Sequence, residues 1–120
     1  MEPLLKSLFN MALQDWLLYF LLGPLLVIIV IVVNIFPPKK INDLYGYRTA
    51  RSKQNQKNWD EAQRYSGRLS LWLFIGLSLI ELPLFMLLEA PTAGLVSTGL
   101  LVIACILLFL LTEQYLKNSI

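Results

Sequence analysis

Residues 16–36 read WLLYFLLGPLLVIIVIVVNIF, a run without one charged side chain. As a helix rising about 1.5 Å per residue, roughly 21 residues reach about 31 Å, the thickness of a bilayer's hydrocarbon core. Two more such runs follow. Residues 69–88, LSLWLFIGLSLIELPLFMLL, carry the single charge Glu81, and residues 93–112, AGLVSTGLLVIACILLFLLT, carry none. The expected fold is all-α and integral to the membrane, with three transmembrane helices in one membrane domain spanning residues 1–120. Gly23-Pro24 lies inside the first span and should kink it, because proline lacks the N–H a helix needs. Only Glu89-Ala90-Pro91-Thr92 joins the last two spans, which forces an antiparallel hairpin.

Composition agrees. Apolar residues make up 57% and charged residues 15% of the chain, against about 45–50% and about 25% in soluble domains. There is no histidine and one cysteine, Cys105. An intramolecular disulfide, a Cys/His zinc site and a Ser/His/Asp triad are all excluded. No cofactor, no metal and no catalytic residues are expected, and no direct contact with nucleic acid.

The first span is too long for a cleaved leader, and no small-x-small site follows it, so it should be retained. Before it, Leu4, Leu5, Leu8, Phe9 and Ala12 share one helical face, with Lys6, Asn10 and Gln14 away from it. That pattern fits an interfacial N-terminal helix, or equally a longer tilted first span. Basic residues are distributed very unequally. Lys6 stands alone on one side. Lys39, Lys40, Arg48, Arg51, Lys53, Lys57, Arg64, Arg68 and Lys117 lie on the other. By the positive-inside rule the N-terminus is outside, and the loop 37–68 and the C-terminus are cytoplasmic. The expected location is the inner (cytoplasmic) membrane of a cell, as a multi-pass protein.

The loop has two halves. Pro37-Pro38 stops the first helix. Residues 39–52, KKINDLYGYRTARS, are irregular, with Gly46 between two tyrosines marking a turn and Asn42 and Asp43 able to accept its backbone hydrogen bonds. From about Lys53 to Arg68 the spacing of Trp59, Ala62, Tyr65 and Leu69 predicts a helix. Ser52 or Asn55 would cap it, with an Asn58–Glu61 capping box as a weaker choice. Gly67 is the one break before the second span, so the two helices can be continuous. A plain topology signal accounts for most of the basic residues, through lipid phosphates. It does not account for a glycine between tyrosines beside Arg48-Thr49. The segment 42–49 should be an ordered cap on the helix bearing Trp59. Arg48 would be its ionic anchor, forked onto a phosphate or a carboxylate, with Asp43, Asp60 and Glu61 the internal candidates.

The residues Asn42, Tyr45, Gly46, Tyr47, Arg48, Thr49, Ser52, Trp59 and Ala62 resemble the signature of the SdpI-type membrane proteins, a family named for a bacterial immunity protein against a secreted toxic peptide. Pro37-Pro38 and Gly67 fit as well. The chain departs from the pattern at Ala50, often proline, and Gln63, often asparagine. The founding member is also longer, with additional spans. The resemblance implies resistance to, or sensing of, a membrane-active peptide toxin, with capture of a cytoplasmic regulator. Those nine residues become the candidate binding motif, and the partners it implies are the toxin and the regulator.

Glu81 is the intramembrane candidate, since an acid in a span is costly, about 2.5–3.5 kcal/mol or more. It would bind a cation or proton, or sit neutral and hydrogen-bonded to Ser78, Ser97 or Thr98. Gly76, Ser78, Gly94, Ser97, Thr98, Gly99 and Ala104 are small enough for close helix packing, within the chain or in a homo-oligomer. Trp16, Tyr19, Trp72 and Tyr115 read as interface anchors, and Cys105 as inert packing. Two other functions compete with toxin immunity. One is a lipid- or phosphate-binding membrane protein or enzyme using the Arg48 loop. The other is a structural, oligomeric subunit.

Overall fold

A computed structural model describes residues 2–9 and 12–119. They form α1 (Glu2–Phe9), α2 (Leu13–Leu22), α3 (Pro24–Ile35), α4 (Gln56–Leu87) and α5 (Ala90–Ser119), with no strand among them. Three stretches are long and apolar enough to cross a membrane: Leu13–Ile35, Gln56–Leu87 and Pro91–Ser119. The chain is a multi-pass membrane protein of three spans, elongated at 53 × 24 × 23 Å.

The Gly23-Pro24 kink is a full break. Gly23 adopts φ −128°, ψ −84° between two helices. Pro24 has no N–H to return to the carbonyl of Phe20. At the amino end, Ala12 is extended (φ −66°, ψ 155°), so α1 is an element of its own rather than the start of a longer first span. Of its apolar stripe, Leu5 is exposed; Leu4, Leu8 and Phe9, like Asn10, lie outside the described side chains.

α4 runs unbroken through Gly67, whose missing side chain admits Asn34 of α3: a Cβ there would lie 2.6 Å from Asn34 Oδ1. Asn34 in turn donates to the Gly67 carbonyl. The α4–α5 link is shorter than expected, because Ala90–Thr92 already belong to α5, where proline is tolerated in the first turn. α4 buries a row of residues three or four apart, Ala62, Ser66, Ser70, Phe74, Leu77, Glu81 and Phe85, and α5 buries Ala93, Ser97, Ala104, Thr112 and Leu116; Phe74, Leu77 and Ala104 form one cluster with Leu26, Val27 and Val30 of α3. Small side chains in both rows let the backbones approach where no hydrophobic driving force exists. The expected small-residue seam is only partly used. Ser97 and Ala104 are buried, whereas Gly76 and Gly99 have nothing within 4 Å of where a Cβ would lie. Cys105 faces away from the bundle instead of packing in it.

Two of the four aromatic anchors do other work. Tyr19 points into the bundle, donating to the Ser78 carbonyl at 3.1 Å and meeting Phe85 edge-on. Tyr115 stacks on Tyr65 with ring centroids 4.2 Å apart. Trp72 remains exposed.

Candidate functional site

The loop between α3 and α4 folds into a cap. Phe36 ends α3 with its N–H on the Val32 carbonyl. The two prolines then turn the chain so that the buried Pro38 presents its carbonyl to Trp59 Nε1 at 2.6 Å. Trp59 and Ala62 are wholly buried, so the first turns of α4 form the floor of the cap. Asn42 makes the expected turn. Its Oδ1 accepts from the N–H groups of Leu44 (2.8 Å) and Tyr45 (3.0 Å). Tyr45 reaches back to the Phe36 carbonyl.

Gly46 is the one described residue with a left-handed backbone, φ +99°. The turn lays the Tyr47 backbone against Gln63 of α4. The Tyr47 N–H donates to Gln63 Oε1 at 2.8 Å, and Gln63 Nε2 donates to the Tyr47 carbonyl at 2.7 Å. An amide side chain, with its acceptor oxygen and donor nitrogen, is what that two-way clamp needs, and Gln63 supplies it. Next comes a tight turn in which Ser52 Oγ accepts from the Thr49 N–H and Thr49 Oγ1 from the Ser52 N–H. Ser52 therefore closes this turn rather than capping α4. The cap of α4 is Asn55, which accepts from the Asn58 N–H at 2.8 Å. The helix is already under way at Asn58, so the Asn58–Glu61 capping box does not form.

The loop is tied to α5 by a residue absent from the sequence motif. Glu113 accepts from Tyr47 Oη at 2.7 Å, Thr49 Oγ1 at 2.6 Å and Arg51 Nε at 3.1 Å. Burial, and then the Glu113 carboxylate that takes its hydrogen bond, push the Tyr47 phenol above its ordinary range. Arg51, not Arg48, is thus the ionic anchor. Arg48 donates through Nη1 to the backbone carbonyl of Asp43 and forks onto no carboxylate. The three candidate acids are otherwise engaged. Asp43 pairs with Lys53, whose hydrogen bond and charge hold it below the usual carboxylate range. Asp60 accepts from Gln56, and Glu61 from Arg64 and Tyr115. Arg48 is left exposed with most of its donors unused by the described residues.

Beneath the cap, between α3 and α4, opens a cavity of about 570 Å³. Val30, Phe74 and Leu108 line it together with Lys39, Arg68 and Asp60. It is amphipathic: apolar side chains from the spans meet basic residues of the loop and of α4.

Of the nine motif residues, Asn42, Tyr45, Gly46, Tyr47, Thr49 and Ser52 build the cap, and Trp59 and Ala62 lie beneath it. Arg48 and Tyr45 are exposed, and of the two only Arg48 carries a charge. Glu81 lies apart, far along α4 from the cap, wholly buried and bonded to none of Ser78, Ser97 or Thr98.

This arrangement defines a class: a small multi-pass membrane protein whose first interhelical loop is folded onto the ends of its second and third spans. The SdpI/YfhL protein family profile matches residues 39–112, from the start of the cap to one residue before Glu113. The uncharacterized protein YfhL of Bacillus subtilis (strain 168) is 41% identical over 95 residues, covering 79% of this chain and 82% of the relative. The chain belongs to the SdpI/YfhL family. No solved structure matches it.

Proposed function

We propose that this protein confers resistance to, or senses, a membrane-active peptide toxin, and that its cap is a cytoplasmic surface read by a regulator. It acts by binding, without catalysis. The family signature supports the toxin side. The observation that carries the sensing side is the grip of Tyr47, Thr49 and Arg51 on Glu113. Through it, any shift of α5 relative to α4 moves the loop that displays Arg48. Arg48 spends Nη1 on the Asp43 carbonyl and leaves its other donors unused by the described residues, suited to a forked contact with a carboxylate of the regulator.

Cells expressing the protein should survive toxin better than cells lacking it. In the same assay, at matched expression, Arg48→Lys should lose most of the protection or regulator capture, because an ammonium cannot fork. Lys57→Ala should lose little. Equal behaviour of the two variants would reduce the loop to a topology signal.

The orientation rests on nine basic residues against one. In a Cys105→Ser background, a cysteine at exposed Lys53 should be shielded from an impermeant thiol reagent in intact cells, and one at exposed Thr92 should react. The reverse pattern would place the cap outside and end the regulator reading.

The cavity favours a second reading, an anionic lipid bound with its phosphate near Lys39 and Arg68 and a chain along Val30 and Phe74. Copurification of an anionic lipid lost in a Lys39→Gln, Arg68→Gln double variant, with toxin resistance unchanged, would favour it.

A further inference from the structure

Glu81 is the least explained group in the molecule. It is 0% exposed, and neither carboxyl oxygen has a hydrogen-bond partner among the described residues. Such groups are rare in folded proteins and need a reason.

Its surroundings hold no counter-charge. α3 carries no ionisable side chain, and α5 between residues 91 and 112 carries only Cys105, which is exposed. α2 contributes Asp15 and Tyr19, the latter committed to Ser78. α1 also packs on α4 and carries Glu2 and Lys6, both exposed and unpaired with Glu81. An uncompensated carboxylate buried in apolar surroundings is strongly disfavoured, and such a group takes up a proton instead.

The position of the acid is the second observation. Glu81 lies against the break in the first span: a Cβ on Gly23 would be 2.8 Å from Glu81 Oε2 and 3.1 Å from Ser78 Oγ. Gly23 is the N-cap of the twelve-residue α3. The first amides of a helix lack intrahelical acceptors and carry its positive end, which steadies a nearby anion by about 0.3–1 kcal/mol, up to about 2 in buried geometry. The Gly23 N–H is taken by the Tyr19 carbonyl and Pro24 has none, so only the α3 amides beyond Pro24 are open to steady the charged form, while no hydrogen bond holds the proton of the neutral form in place. A metal cation fits poorly, since hard cations take six or more oxygens with several carboxylates among them, and no group of three or more acidic, histidine or cysteine side chains gathers among the described residues.

We infer that Glu81 and the Gly23-Pro24 break form an intramembrane site for an exchangeable proton. On release, the carboxyl O–H gives its proton to water, and the carboxylate turns to the N-terminus of α3. This goes beyond the toxin and regulator reading and stands without it.

The test uses the whole protein in lipid nanodiscs, followed by infrared difference spectroscopy through a pH titration. A protonated-carboxyl C=O band should be present in acid, disappear on alkalinisation, and be missing in Glu81→Gln. Gly23→Ala, which pushes the acid off the helix end, should move the midpoint towards alkaline pH. Dicyclohexylcarbodiimide, which attacks protonated carboxyls in apolar surroundings, should label wild-type Glu81 with the same pH dependence. That arm needs no variant to fold. A Glu81 band constant across the titration would overturn the proposal in favour of a static acid. No band and no labelling at any pH would overturn it in favour of a fixed ion pair. A midpoint that moves with sodium concentration at constant ionic strength would replace the proton with a metal cation.

Discussion

Replacing Glu113 with alanine should release the cap from α5 while leaving the three spans assembled. The carboxylate is the meeting point of two hydroxyls and one guanidinium from the loop. Hydrogen bonds to a charged group contribute about 1.5–3 kcal/mol each, the half-exposed Arg51 pair less, and the three are not additive, so docking should weaken by about 2–4 kcal/mol. Glu113→Gln keeps the shape and an acceptor but loses the charge, and should cost roughly half as much. Tyr47→Phe should reproduce part of the alanine effect and be nearly silent when added to Glu113→Ala, because both remove the same bond. The free energies follow from amide exchange of the loop in detergent or nanodiscs. Full additivity of Tyr47→Phe and Glu113→Ala would mean that the two side chains do not meet.

Gly46→Ala should damage the same cap from the other side. At φ +99° an L side chain is strained, and a Cβ would lie 2.6 Å from Pro38 Cγ and 2.7 Å from Gln63 Oε1. Neither neighbour can yield freely. Pro38 is rigid and its carbonyl is held by Trp59; Gln63 is clamped to Tyr47. Backbone strain of about 1–3 kcal/mol plus one broken clamp of about 1–2 kcal/mol gives a loss of about 2–5 kcal/mol. Gly76→Ala and Gly99→Ala are the controls. Both glycines sit inside helices facing open space, so alanine should be neutral or stabilise by up to about 1 kcal/mol. Chemical unfolding in micelles separates the cases. Equal effects at Gly46 and Gly76 would show that the left-handed turn is not formed.

The spans, a distortion at Gly23-Pro24 and a cap at Ser52 or Asn55 were legible in the sequence, because each depends on neighbours within one or two helical turns. So was the ordering of residues 42–49, since a glycine between tyrosines has little use in a linker. What the sequence does not disclose is pairing across distance. Tyr47 and Glu113 are 66 residues apart, and nothing local joins them. The available clue was an acid ending an otherwise uncharged span, beside a strongly basic loop. The choice between Arg48 and Arg51 was likewise hidden. The Thr49–Ser52 turn decides it, by directing Arg51 toward α5 and leaving Arg48 on the surface. The continuity of α4 through Gly67 was open to the sequence too, but not the reason for the glycine, which is the room it makes for Asn34.

The most direct test of the account is residue-resolved hydrogen exchange in the loop of the intact protein in nanodiscs. The N–H groups of Leu44, Tyr45, Tyr47 and Thr49 all have acceptors, at 2.8, 3.0, 2.8 and 2.8 Å. They should exchange far more slowly than an unstructured chain, and Tyr47 and Thr49 should lose that protection in Glu113→Ala. Free-chain exchange at all four positions in the wild-type protein would contradict a folded cap, and with it the link between the spans and the surface that bears Arg48.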